Sequence, residues 1–302
     1  LFAKFIDKAD FVSPCAGPDC TLAAVVDSKP MASLAFPVTC TSCSASYCFQ
    51  CRDEPHQPTK CEDLREWNQK LTANSSFWLK MYSKPCPSCS APIQKTDGCN
   101  HMKCTRCNTD FCWMCLGLLN THLEPHTCNL YQPGDDEEKN AKFYMERFQA
   151  HDSSKLHAID RFKYIDESSD AVADKLRFLD QAGYDVLYEA CEELVAARDF
   201  LKYSYVGAWA LRQDTARLEM FSRAQATLEV VTERLSYMTQ SISPIKKIYD
   251  SQGPRGVRLF LRTVEFLTLT VHSYKHRIVS IQEATLSSTI DRARSGSVHS
   301  IQ

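Results

Sequence analysis

Cysteine spacing limits what this chain can fold into more than any other feature. Of its 302 residues sixteen are cysteine, and fifteen of these fall within the first 128 positions. From Cys15 to Cys61 the order is C-x4-C-x19-C-x2-C-x4-C-x2-C-x4-H-x4-C. That run supplies two complete four-ligand sets for tetrahedral zinc: Cys15, Cys20, Cys40 and Cys43, then Cys48, Cys51, His56 and Cys61. A second block carries three C-x2-C knuckles, Cys86/Cys89, Cys104/Cys107 and Cys112/Cys115, and closes with a histidine, His122 or His126, and Cys128. Those eight residues complete two more sets, so four zinc ions are expected.

One cysteine of the second block is then left over. Cys99 sits in Asp97-Gly98-Cys99-Asn100-His101 with no partner cysteine two residues away. The competing reading makes Cys99 a ligand and another cysteine spare, but it would break a knuckle, which is the unit that wraps the metal. An unpaired thiol in a zinc-ordered loop, followed two residues on by a histidine, suits a nucleophile and its base. Cys99 and His101 are therefore the candidate catalytic residues. Asn100 reads either as a turn residue or as a donor to a developing oxyanion. Cys191 lies on the apolar stripe of a helical pattern and reads as a small buried hydrophobe.

So many cysteines could also build a disulfide framework, but the knuckle spacings favour metal and hence a reducing compartment, cytoplasmic and/or nuclear. The formal net charge of −2 gives no field that would draw nucleic acid, and no basic helix interleaved with aromatics accompanies the knuckles. No membrane span is expected either, because the most apolar stretch, 257–271, is interrupted by Arg258, Arg262 and Glu265. The chain opens at Leu1 without an initiating Met or signal pattern, which reads as a piece of a longer protein.

The expected fold is a set of small zinc-stabilised modules joined by a helical linker to an all-α bundle. Residues 1–61 form the first zinc module, and 62–85, with Trp67, Phe77, Trp78 and Tyr82, form the linker helix or helices. Residues 86–130 form the second module. An acidic breaker at 133–138 opens the helical region 131–291, and 292–302 reads as a disordered tail. In the helical region Leu176, Leu179, Leu187, Cys191 and Leu194 share one stripe, and Leu228, Val231, Leu235 and Met238 another. Ser243-Pro244 and Gly253-Pro254 punctuate the helices, and a segment near 257–281 completes the bundle, its β-branched run 268–271 being the weaker case for a strand.

The motifs also carry a family resemblance. The first block resembles the in-between-RING domain. Pro85-Cys86-Pro87-Ser88-Cys89, Gly98-Cys99-Asn100-His101-Met102 and Phe111-Cys112-Trp113-Met114-Cys115-Leu116-Gly117 resemble the second RING of RING-between-RING ubiquitin ligases of the Ariadne subfamily. The resemblance implies that Cys99 accepts ubiquitin from a conjugating enzyme, that His101 aids transfer to a substrate lysine, and that His122 rather than His126 closes the last set. It further implies that the helical region folds back and restrains the second RING until a partner such as a neddylated cullin–RING complex releases it. The first RING of the family does not precede Cys15, so charged conjugating enzyme is expected to be recruited poorly. The family places a Phe followed by an acid over the cysteine; Phe221 aligns with the Phe, but Ser222 stands where the acid is expected.

Overall fold

The computed structural model describes residues 11–26, 35–73, 83–95, 100–119, 137–167, 179–239 and 243–295. The cysteine-rich half consists of four antiparallel two-stranded hairpins. They pair β1 (Val12–Pro14) with β2 (Ala23–Val25), β3 (Pro37–Thr39) with β4 (Ser46–Cys48), β5 (Ser83–Pro85) with β6 (Pro92–Gln94), and β7 (His101–Lys103) with β8 (Asp110–Cys112). Helix α1 (Cys61–Ala73) lies between the second and third hairpins. Strand β5 corrects the linker expectation, since residues 83–85 pair with β6 in the register Lys84↔Ile93 instead of continuing a helix. Each hairpin carries two cysteines at its turn, Cys15 and Cys20 in the first and a C-x2-C knuckle in the other three, and the strands on either side are the arms that hold them. Phe77, Trp78 and Tyr82 lie outside the described residues.

Five knuckles share one turn. The residue after the second cysteine (Ser44, Arg52, Ser90, Asn108, Leu116) has φ between 57° and 65°. Its N–H donates to the carbonyl of the first cysteine, four residues back, at 2.8–3.0 Å. The left-handed residue lets the chain double back so that N–H groups point at the sulfurs, which explains why so small a loop can hold charge. Three-residue strands bury little apolar surface of their own, and a metal held by their cysteines would add stability that such small cores do not provide.

The helical half contains α2 (Glu137–Glu167), α3 (Gln181–Ala210), α4 (Thr215–Thr239) and α5 (Ser243–Ser295). Asp180 caps α3, its carboxylate accepting from the Gly183 N–H at 2.9 Å. From Phe200 to Trp209 every residue of α3 is buried, which makes it the central helix against which α2, α4 and α5 pack. Leu187, Cys191, Leu194, Leu228 and Leu235 are buried, while Val231 and Met238 pack at the margin of the same core. Gly253, with φ 62° and ψ −161°, breaks α5 just before Pro254. Beyond that break Val264, Leu267, Val271 and Ile278 are buried at helical spacing, so the β-branched run 268–271 is helix. The helix continues to Ser295, four residues into the stretch read as a disordered tail. No helix among the described residues is long and apolar enough to cross a membrane.

Candidate metal centres and thiol site

Twelve of the sixteen expected ligands gather into three groups: Cys15, Cys20, Cys40 and Cys43; Cys48, Cys51, His56 and Cys61; and Cys86, Cys89, Cys104 and Cys107. Within each group the ligand atoms lie within 4.8 Å of one another. Sulfur pairs stand 3.4 Å (Cys15–Cys43), 3.7 Å (Cys20–Cys40), 3.7 Å (Cys48–Cys61), 3.6 Å (Cys86–Cys107) and 3.7 Å (Cys89–Cys104) apart. A tetrahedral zinc with Zn–S near 2.3 Å has sulfurs about 3.8 Å apart, whereas a disulfide needs about 2.0 Å. The observed gaps fit the metal and exclude the bond.

The donors are also prepared for a cation. Backbone N–H groups of Cys43 and Ser42 pull the Cys40 thiol down to about 6. The Thr109 hydroxyl and backbone do the same for Cys107, to about 6. Cys48 is pulled down to about 3, chiefly by the Cys61 thiol, and Cys61 is pushed up by the same contact. One sulfur of such a pair ionises at its neighbour's expense, because thiolates this close repel unless a positive ion lies between them. His56 is fully buried, and its Nδ1–H donates to the Thr59 carbonyl at 3.0 Å, which leaves Nε2 facing Cys51 Sγ at 3.3 Å. Gly17 is required by close approach, since a Cβ there would meet Cys43 Sγ at 2.6 Å.

Of the fourth expected set, Cys112 and Cys115 form the fifth knuckle, with Leu116 N–H donating to the Cys112 carbonyl at 2.8 Å. His122, His126 and Cys128 lie outside the described residues, as does Cys99. The chain just after Cys99 is described. Asn100 is 8% exposed, and α4 holds it there: its backbone N–H donates to Glu233 Oε2 at 2.8 Å, and its amide to Glu233 Oε1 at 3.1 Å. Arg198 of α3 donates to Glu233 Oε1 at 2.6 Å. Lys95 donates to Asn100 Oδ1 at 3.3 Å and to Ser154 Oγ of α2 at 2.7 Å. Burial alone pushes Glu233 up, but the Arg198 charge and hydrogen bond, with Lys95 and the Asn100 N–H, bring it down to about 2. Next to it, fully buried Glu229 accepts from Tyr205 Oη at 2.6 Å and lies 3.5 Å from His151 Nε2.

Strand β7 alternates, with His101 and Lys103 outward and Met102 in the core of the hairpin pair. Across the ladder the carboxylate of Asp110 meets His101 Nε2 at 2.9 Å. The hydrogen bond with His101 holds the Asp110 carboxyl below its usual range, with help from Lys103. A carboxylate on one ring nitrogen fixes the tautomer and leaves Nδ1 as the basic one. Asp110 escaped the sequence reading although strand alternation would place it beside His101. Glu233 and Glu229 escaped as well, and their signal is acid at inward positions of the α4 stripe. Phe221 is fully buried in the helical core, beside Gly207, and Cys99, which the resemblance would set beneath it, lies outside the described residues. Among the described residues, acid from α4 reaches Asn100 through Glu233.

Comparison with known proteins agrees with this geometry. Residues 1–61 match the IBR domain, a half RING-finger domain, and residues 82–122 match the IBR domain. E3 ubiquitin-protein ligase ARIH2 of Mus musculus is 32% identical over 257 residues, covering 80% of this chain and 51% of that protein. E3 ubiquitin-protein ligase ariadne-1 of Drosophila melanogaster is 31% identical over 259 residues, covering 80% and 50%. The chain belongs to the Ariadne type of RING-between-RING proteins. E3 ubiquitin-protein ligase dbl4 of Schizosaccharomyces pombe extends the set, at 32% identity over 264 residues and the same 80% of this chain. This Ariadne-type chain spans about half the length of the curated relatives it matches.

Proposed function

We propose that the protein is a ubiquitin-protein ligase that carries ubiquitin as a thioester on Cys99, passes it to a substrate lysine, and is held at rest by its helical half. Zinc in the cysteine sets would order the loops that bear the reacting groups, a purely structural role. In the first step the Cys99 thiolate attacks the thioester carbonyl on a conjugating enzyme, and that enzyme's cysteine leaves as thiolate. One thioester replaces another, so positioning matters more than acid–base help. In the second step a lysine amine attacks the Cys99 thioester, its proton passes to His101, and Cys99 leaves as thiolate. Asp110 orients the imidazole and stabilises it once charged.

The observation that carries this reading is the grip on Asn100. Its backbone N–H and side-chain amide are both committed to Glu233, so the residue next to Cys99 is fixed against α4 and unable to serve a substrate. A partner that binds the released form better would shift the balance, and the family resemblance names a neddylated cullin–RING complex for that part.

Ubiquitin bearing a C-terminal electrophile tests the thioester step. A covalent adduct is expected on the protein and absent from Cys99→Ala, with zinc content unchanged. Zinc lost in that variant would make Cys99 a ligand, and ubiquitin bound without any adduct would favour a non-catalytic zinc scaffold. His101→Ala and Asp110→Asn should both keep adduct formation while slowing discharge to free lysine, His101→Ala by roughly 100-fold. The defect should shrink as pH rises and more amine is unprotonated. Equal loss of both steps would remove the base role.

A further inference from the structure

His272 and His276 take no part in the chemistry above. They stand one turn apart on the exposed face of α5, with ring centroids 4.6 Å apart and planes at 67°. Their Nε2 atoms face each other at 3.1 Å. Two nitrogens bound to one divalent ion at about 2.0–2.1 Å and angles from 90° to 109° lie about 2.9–3.4 Å apart. The observed gap falls in that interval. Spacing of four along a helix is also what brings two side chains over the same point of its surface.

A second observation bears on the tautomer. His272 Nδ1 faces Glu193 Oε2 of α3 at 3.9 Å, and Lys275 fixes the other oxygen of Glu193 at 2.7 Å. Glu193 and Lys275 are both largely buried, each with a side chain 16% exposed, so the carboxylate is anchored in the groove between the two helices. A fixed negative charge on the Nδ1 side favours the proton there and leaves the Nε2 lone pair turned toward His276. His272 itself is 58% exposed, so further coordination positions open to solvent.

We propose that His272 and His276 form an open, two-histidine site for a divalent first-row transition ion of the class that imidazole favours, Ni2+, Cu2+ or Zn2+. The site lies apart from the cysteine sets and differs from them in kind. It has no thiolate, holds its ion more weakly, and leaves positions for water or for a donor from another molecule. Bound metal would also staple one turn of α5 against α3 through Glu193.

The test uses the full chain with its cysteine sets filled by zinc and loose metal removed, titrated with Ni2+. One Ni2+ per chain is expected at this site, with paramagnetic broadening of NMR signals centred on 272–276 and no change in zinc content. His272→Gln and His276→Gln, both at exposed positions, should each weaken that event by more than the roughly tenfold that loss of an outer hydrogen-bonding partner costs a metal site. Glu193→Gln should weaken it less than either. If both histidine variants bind Ni2+ as the parent does, or the broadening centres elsewhere, the pair is only an imidazole–imidazole hydrogen bond and the site does not exist.

Discussion

The two cysteine-rich segments use the same knuckle, yet they attach to the helical half by opposite means. The first is built into the helical core. Leu64 and Trp67 of α1 are members of it, and Trp67 meets Trp209 at 5.4 Å and Phe148 at 5.8 Å. The His56 ring packs edge-on against Tyr203, and Glu54 is held by Lys155 at 2.9 Å and Lys202 at 3.5 Å. The second segment has its own small core, into which, among the described residues, Ala150 of α2 enters from the helical half. Other ties between described residues are polar: Asn100 to Glu233, Lys95 to Ser154, and Lys84 near Glu146 at 4.0 Å. A groove of about 130 Å³ stays open between it and α2. Aromatic burial cannot be exchanged for water without large loss, whereas hydrogen-bonding groups find new partners in water or on another protein. The attachment that the proposed mechanism must release is the one made of exchangeable contacts.

The largest effect that would separate the segments from the helices is removal of metal. Four zinc ions per chain are expected, and two or fewer would overturn the ligand assignment. Structural zinc in small modules contributes roughly 10–16 kcal/mol of apparent binding energy, far more than such hairpins could replace. Chelation should therefore melt β1 to β8, while α2 to α5, which share a continuous apolar core, keep their helical circular dichroism. Loss of both together would mean that the helical half depends on the hairpins.

A pair of substitutions should then break the two attachments differently. Trp67→Ala empties an aromatic site in the common core and should cost about 3–5 kcal/mol in global stability. Asn100→Ala removes the side-chain half of the grip, the charge-assisted amide bond to Glu233 Oε1 worth about 1.5–3 kcal/mol, and keeps the backbone N–H that donates to Oε2; Glu233 stays paired to Arg198 at 2.6 Å, so no buried charge is stranded. Its cost should fall on closure and leave folding nearly unchanged. Labelling of Cys99 by the ubiquitin electrophile should rise about tenfold for each 1.4 kcal/mol of restraint removed. The comparison fails if Asn100→Ala lowers melting temperature as much as Trp67→Ala, or leaves labelling where it was.

The grouping of Cys15 to Cys107 was legible in the sequence because a knuckle is local: four residues fix its turn, and its cysteines can face only inward. The buried stripes of α3 and α4 were legible through their helical period. The docking of the second segment was not, because Asn100 and Glu233 are separated by 133 positions and no spacing rule connects them. Glu229 reads locally as one more exposed acid, and only the packing of His151 and Tyr205 around it reveals it as buried. Strand β5 was hidden by the helical linker before it, because three residues between a linker and a knuckle carry too little period to read.

The smallest effect concerns pH, and its sign follows from Glu233. With its carboxyl drawn down to about 2 from an ordinary 4.5, the contact it makes is fully present above the ordinary value and is lost only as pH falls through the lowered one. Most of that lowering comes from Arg198, which stays beside Glu233 whether or not Asn100 is docked, so opening is coupled only to the smaller part due to Lys95 and the Asn100 N–H. His151, kept neutral by burial, titrates below its ordinary value and also leaves the neutral range undisturbed. The ratio of Cys99 labelling between Asn100→Ala and the parent cancels ionisation of the attacking thiol. That ratio should be flat from about pH 7 to 9, where neither group changes charge. A ratio that drifts across that range would show that some other titrating group closes the second segment, and the Glu233 grip would then be incidental to the restraint.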